Sequence, residues 1–196
     1  MNEIFSQHNH LSFSVNYSDI KNHYKKISGA TLSYQYSFFN NILQIGPYFK
    51  YYRNVIKGSS LQVPDAYSGY KGYDNGIGYG LTAIVSPLDS NSFGTKVLLP
   101  YLIFNIGLNS GYINADSDKS GVYYRVLKQK AISGFGIGIM LSPFYSISLF
   151  SDFVYEIRNP YFEYRIFIRE NGSFQTEEKT INLSSFFLKM GIRINF

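Results

Sequence analysis

Few side chains in this sequence can do acid–base or nucleophilic chemistry. The 196 residues include three histidines (His8, His10 and His23) and no cysteine. A hydrolase or acyl transferase needs a general base, usually His, beside a Ser or a carboxylate. His8 and His10 lie before or at the start of the first patterned segment. His23, in "KNHYKK", could form a site with loop carboxylates, but a solvated loop residue is the simpler account. Without Cys there is neither a disulfide framework nor a thiolate metal site. "DSDKSG", Asp116 to Gly121, has the D-x-D-x-S-G opening of a calcium loop. The position that needs a bidentate Glu is Leu127, which cannot ligate, so the segment reads as a polar turn. The glycines of "GIGYGL" and "GFGIGI" alternate with apolar residues and no helix follows, so they are not phosphate loops. No catalytic, metal or cofactor site is expected. The net charge of +5 is scattered, with no Lys/Arg block to attract nucleic acid.

What the chain has in abundance is alternation. The last residues, "SSFFLKMGIRINF", set Phe186, Leu188, Met190, Ile192, Ile194 and Phe196 against Ser185, Phe187, Lys189, Gly191, Arg193 and Asn195. A period of two marks a strand with one apolar and one mostly polar face. The pattern recurs in "LSFSVNY", "ATLSYQYSF", "ILQIGPYFKYY", "GIGYGLTAIV", "SGFGIGIML" and "YSISLFSDFVYEI"; "VLLPYLIFNIGLN" is the least clean, with both faces fairly apolar. About eight strands result, each near the 9–11 residues of a tilted membrane strand. "GYGLTAIVSPL" and "GFGIGIMLSPF" resemble one another, as two equivalent strands would. Short links ("FNN", "SPLDSNSFG", "SPFY") alternate with long polar ones such as "KGSSLQVPDAYSGYKGYDN". No apolar run is long enough for a spanning helix. The opening "MNEIFSQHNH" has no apolar h-region, so export would imply a mature chain with a substituted start.

The polar face decides between a soluble and a membrane barrel. Facing water, it should be dense in Lys, Glu and Asp; here it is Gly, Ser, Thr, Asn, Gln and Tyr, and charged residues make up only 16% of the chain. Such a face suits a narrow lumen, with the aliphatic face toward acyl chains and closure removing every strand edge. Tyr17, Tyr51, Tyr112 and Tyr155 fall near the outward ends, and Phe38, Tyr145 and Phe196 near the inward ends, as interfacial girdles without Trp. The expected fold is therefore all-β: a closed antiparallel up-and-down transmembrane barrel of about eight strands. Its turns would be short and periplasmic, its loops long and extracellular. Residues 1–9 form a periplasmic segment, 10–196 the barrel, and 159–181 a protruding hairpin.

The final octet "KMGIRINF" resembles the C-terminal assembly signal of bacterial outer-membrane proteins, with Lys189, Gly191, Ile194 and Phe196 in the defining places. The whole chain is similar to the small eight-stranded family of outer-membrane protein X and the transmembrane domain of outer-membrane protein A. That resemblance implies the outer membrane of a Gram-negative bacterium, with both termini periplasmic. It implies outer-membrane lipid and lipopolysaccharide as surroundings, and recognition of Phe196 by the barrel-assembly machinery. The wealth of Asn, Ile, Lys, Tyr and Phe points to an AT-rich genome such as a Bacteroidota species. An eight-stranded interior holds little beyond its own side chains, so a diffusion pore is not expected. The reading is a non-enzymatic surface or interaction protein, or an accessory subunit of a larger outer-membrane complex, with other membrane or surface proteins as partners. The alternative is a small outer-membrane enzyme acting on lipid A or peptide near His23. No His-x-Ser pair occurs in the later strands, where the lipid A deacylases of this class carry theirs, and there is no amphipathic N-terminal helix like that of the palmitoyl transferases.

Two further expectations concern register. Asn171-Gly172 in "RENGSF" is a two-residue hairpin signal. Counting back from it pairs Arg169 with Phe174 and sets Asp152 opposite Gly191, with Lys189 and Arg193 on its diagonals. Asp152 should then pair with one of those cations, and Lys50 with Glu156 should complete a lumen charge cluster. In the protruding ribbon, Phe162, Tyr164, Ile166 and Ile168 share an apolar face, to be covered by Tyr67, Tyr70 and Tyr73 or by a partner. Pro47 and Pro100, both on the apolar face, should sit at bulges or gaps in the ladder.

Overall fold

The structure is a computed structural model that describes residues 9–18, 24–39, 41–56, 71–87, 98–116, 124–126, 130–144, 146–159, 161–168, 173–180 and 182–196. In chain order the strands are β1 (Asn9–Ser18), β2 (Tyr24–Phe38), β3 (Leu43–Ile56), β4 (Lys71–Val85), β5 (Leu98–Asp116) and β6 (Tyr124–Val126). They continue with β7 (Lys130–Phe144), β8 (Ile147–Ile157), β9 (Tyr161–Ile168), β10 (Ser173–Thr180) and β11 (Ser185–Asn195). Eight of them close into a barrel in the order β1-β11-β8-β7-β5-β4-β3-β2, with every neighbouring pair antiparallel. The seam joins the first strand to the last, from His10↔Asn195 to Tyr17↔Leu188. Asn9 and Phe196 extend it, each backbone N–H donating to the other's carbonyl at 2.8 and 3.0 Å. Closure leaves the wall without an unpaired edge, the condition lipid imposes.

Period-two side chains then sort themselves by face. In β8 the even residues Ser148, Phe150, Asp152, Val154 and Glu156 are buried, while Leu149, Phe153 and Ile157 are exposed. In β1 Ser12, Ser14 and Asn16 point in; Leu11, Phe13, Val15 and Tyr17 point out. The rest of the wall follows, so the exposed set is a belt of Leu, Ile, Val, Phe and Tyr. A water-soluble barrel would bury that set. Tyr17, Tyr51 and Tyr79 are exposed on the belt, and Phe38, Phe39, Phe144 and Phe196 crowd its inner end. Near the outer end, Phe186 stacks on Phe153 at 5.0 Å and tilts against Tyr155 at 4.7 Å. The side chain of Tyr112, and Tyr145 altogether, lie outside what is described.

Both prolines face outward. The β2–β3 ladder lapses between Ser33↔Tyr48 and Tyr36↔Ile45 without shifting register, so Pro47 stands in a gap of the ladder. Pro100 pairs with Ile139 of β7, but β4 has ended at Val85, so the β4–β5 ladder stops at Leu102 and demands no donor from Pro100. The inner turn between β2 and β3 takes Phe39 and Asn41 to positive φ (52° and 67°), closed by Ile42 N–H donating to Phe39 O at 3.1 Å. For Asn that conformation is ordinary; for Phe it is strained and held by the turn.

The strands are longer than the sequence pattern indicates. β2 starts at Tyr24 rather than near Ala30, leaving only residues 19–23 between it and β1, so the first outer connection is short. β9 and β10 form the expected ribbon, but the register differs: Ile168 pairs with Ser173, Phe167 with Phe174 and Arg165 with Thr176. Four residues, 169–172, therefore separate the paired ends, where a two-residue Asn171-Gly172 turn would have left two. Asn171 and Gly172 themselves lie outside the described residues. A third strand joins: β6, from the connection between β5 and β7, pairs with β9 through Tyr124↔Tyr164, Arg125↔Glu163 and Val126↔Phe162. The result is a separate three-stranded sheet, β10-β9-β6.

Met190 lies midway along β11, 53% exposed on the belt, beside inward-facing Lys189. Met190→Arg should destabilise the folded, membrane-inserted barrel by about 2–4 kcal/mol, the range for a cation near the bilayer midplane. Urea titration of refolding into vesicles reads this directly. Insertion as stable as the parent's would reverse the assignment of faces.

Candidate functional site

Inside the barrel, alternation gathers the residues that carry charge. Lys50 of β3 and Glu156 of β8 meet across the lumen at 2.7 Å, both buried. The Lys50 ammonium also lies over the Phe187 ring, 4.5 Å from its centroid. Asp152 sits directly opposite Lys189, and Gly191 opposite Phe150. This corrects the expected Asp152–Gly191 pairing by two residues, the same offset that the four residues of 169–172 introduce above. Face-to-face register does not produce an ion pair here. Asp152 instead accepts a very short hydrogen bond from the Tyr101 hydroxyl. Arg193, 1% exposed, donates to Ser12 Oγ (3.2 Å), Gln44 Oε1 (2.9 Å) and Met140 Sδ (3.4 Å). All three partners are neutral, so neither expected cation pairs with Asp152.

Nearer the outer end is a second ion pair that the sequence reading does not anticipate. Arg158 grips Asp74 through two N–H groups, one at 2.8 Å, and donates to Tyr52 Oη at 2.8 Å. With its amide oxygen turned to Arg158, Asn109 accepts from two guanidinium nitrogens at 2.7 and 2.9 Å and donates to Ile77 O at 2.9 Å. A planar fork of donors satisfied by a carboxylate, a phenol and an amide is what a buried Arg requires. A signal for it exists: Arg158 continues the inward parity of Asp152 and Glu156, and Asp74 that of Gly76 and Gly78. Both residues fall beyond the strand ends that hydrophobicity draws, which hides them.

The lumen is two-sided. β1 and β2 line it with Ser12, Ser14, Asn16, Thr31, Ser33, Gln35 and Ser37. Opposite, Ile84, Leu99, Tyr101, Ile103, Met140, Phe150 and Val154 pack as an apolar cluster. This corrects the expectation of an interior packed with small and hydrogen-bonding groups. Half the cross-section is a hydrophobic core, and it explains why "VLLPYLIFNIGLN" reads as apolar on both faces. Glycines admit the large rings: a Cβ at Gly107 would lie 2.6 Å from the Tyr48 hydroxyl, and one at Gly138 would overlap the Tyr101 ring.

His10 closes the inner end of the lumen, its ring nitrogens 2.8 Å from Asn195 Oδ1 and 2.6 Å from Ser37 Oγ. It joins β1, β2 and β11 and touches no carboxylate in these bonds. His8, His23 and Leu127 lie outside the described residues, as do all of 117–121 in the "DSDKSG" segment. Among the described residues no group of His, Asp and Glu could hold a metal ion. Of the terminal octet, Lys189 and Gly191 face the lumen, while Ile194 and Phe196 are about half exposed on the belt. Phe162, Tyr164, Ile166 and Ile168 take alternate places in β9, with their side chains outside what is described. Tyr67 and Tyr70 are also outside it; Tyr73 is in β4, paired with Val55 and Asn114. On the outer wall, Pro87, Pro100, Leu102, Ile139, Ser151 and Leu188 border an apolar groove of about 410 Å3.

Asp74 is fully buried, so Asp74→Ala would leave Arg158 without its carboxylate. Breaking such a pair costs about 3–5 kcal/mol, and replacing both partners costs less. Chemical unfolding of Asp74→Ala and of Asp74→Ala/Arg158→Met measures both. Equal stability of the single variant and the parent would show that the pair lies in water.

No family model matches the sequence, and no curated protein does. Solved structures do match in shape. The outer membrane protein OprG of Pseudomonas aeruginosa superposes with a TM-score of 0.71 at 7% identity, over 97% of this chain and 95% of that one. A major outer membrane protein of Thermus thermophilus gives 0.59 at 11% identity, over 98% and 100%. Neisserial surface protein A gives 0.53 at 16%, over 97% of each chain. At such identities the likeness is one of fold: the chain folds as the small eight-stranded barrels of bacterial outer membranes do.

Proposed function

We propose that this chain is an integral outer-membrane barrel of a Gram-negative bacterium that works as a surface interaction protein, through the sheet that stands beyond the barrel. The observation that carries this reading is the contrast between a lumen filled with packed side chains and outer connections that combine into a sheet of their own. A wall plugged by Arg158–Asp74, Lys50–Glu156 and an apolar cluster supports no diffusion pathway. The β10-β9-β6 sheet, in contrast, has outer strands on which an extended segment of another protein could be added. The non-enzymatic reading is favoured by His10, whose ring bonds two neighbouring strands. The enzyme alternative near His23 falls outside the described residues. In this reading both termini are periplasmic, Phe196 serves the barrel-assembly machinery, and lipid and lipopolysaccharide surround the belt.

The second reading, an accessory subunit of a larger outer-membrane complex, draws on the groove at Pro100 and Ser151. Crosslinks from Leu102 to another membrane protein would favour it, and labelling of lipid alone would not.

Replacing residues 162–179 with a short turn should leave the barrel inserted and heat-modifiable on gels while removing partners bound by the full chain. Quantitative pull-downs from native membranes compare the two. A deletion that keeps every partner would defeat the interaction role of the sheet.

A further inference from the structure

We propose that the lumen holds a small monovalent anion of the halide class, beside Lys189 in a hydroxyl-lined chamber at the middle of the barrel. The first ground is charge. Seven charged side chains are buried among the described residues: Lys50, Arg158, Lys189 and Arg193 against Asp74, Asp152 and Glu156, which leaves one positive charge in excess. Lys50 and Arg158 are compensated by Glu156 and Asp74. That leaves one carboxylate, Asp152, for two cations, and its described hydrogen bond is to Tyr101. Arg193 is held by neutral groups, and Lys189, 7% exposed, forms no hydrogen bond or ion pair with a described residue. Asp152, opposite Lys189 in the β8–β11 ladder, attracts it without contact, but one carboxylate does not balance two buried cations.

Space and donors agree with that charge. The chamber between Lys189, Arg193 and the β1–β2 wall has about 30 Å3. A cavity needs about 10–15 Å3 to hold one water, so the chamber has room for a small ion. Hydroxyls of Ser14, Thr31 and Ser33 border it, together with Thr82, whose buried Oγ1 has no hydrogen-bond partner; the Ser12 hydroxyl, also in the lining, already donates to Gln35 Oε1. Asp152 also lines the chamber; with its charge counted, the excess is still one, which a monovalent ion balances and a divalent one overshoots. Lys189 supplies the charge and the hydroxyls the remaining hydrogen bonds, in a site cut off from the membrane by the wall.

The test uses the full chain refolded in zwitterionic detergent with sodium bromide. Crystals should show an anomalous bromide peak within hydrogen-bond distance of Lys189 Nζ. Exchanging gluconate for bromide at fixed ionic strength should shift the folding equilibrium about tenfold once bromide reaches ten times its Kd. Lys189→Met should lose both effects. Thr82→Val, which leaves the charge in place, should weaken the halide response, and serves if the first variant does not fold. Bromide found only on the outer surface, or stability that is the same in bromide and gluconate, would overturn the proposal.

Discussion

Everything in this structure depends on the hydrogen-bonded seam between β1 and β11. A backbone N–H or C=O left unpaired in hydrocarbon is costly, so a sheet can cross a membrane only when its first and last strands meet. Two segments from opposite ends of the sequence therefore have to find one another, from His10↔Asn195 to Tyr17↔Leu188. The His10 ring adds a side-chain tie at the same place, linking Asn195 of β11 to Ser37 of β2. Once the seam is made, every barrel strand has two neighbours and alternation becomes a division between outside and inside. Phe196 takes part in the same closure: it pairs with Asn9 at the last rung and places its ring on the belt.

Closure has a second consequence inside. Eight strands enclose a space that side chains can fill, and here the filling is divided. The apolar cluster on the β5–β7–β8 side excludes water, while the Ser- and Thr-rich β1–β2 wall offers hydrogen bonds but no charge. The two buried ion pairs reach across the lumen rather than along the sheet. Lys50 and Glu156 come from β3 and β8, and Asp74 and Arg158 are likewise far apart in the chain. Such pairs brace opposite walls and oppose the opening of the barrel. In the proposed reading this braced barrel is the platform, and the sheet formed by β6, β9 and β10 is what it carries.

Much of this is legible in the sequence because membrane strands obey a rule of two. The faces of β1, β2, β3, β4, β7 and β11 follow from alternation alone, as do the outward prolines. The pattern weakens where the inside is also apolar. In β8, Phe150 faces in and Ser151 out, against their hydropathy, because parity is fixed by the backbone and Phe150 belongs to the inner cluster. Register is less legible than face, since a shift of two residues changes no face. Asn171-Gly172 reads as a two-residue turn, and the true offset moves Lys189, rather than Gly191, opposite Asp152. Arg158 and Asp74 escape the pattern because a lumen can extend past the apolar belt, where hydrophobicity no longer marks the strand. The β6–β9 pairing joins segments with only three paired residues, too few to carry a periodic signal.

The central claim is that the face directed at lipid is set by parity around a closed wall, and Ser151 and Phe150 test it most directly because hydrophobicity alone would exchange them. The natural absence of cysteine permits single-Cys variants at 149, 150, 151, 152 and 153, each labelled with a fluorophore in vesicles containing brominated lipid. The account predicts quenching at 149, 151 and 153 and none at 150 and 152. Quenching at 150 with protection at 151, or the same quenching at all five, would contradict it.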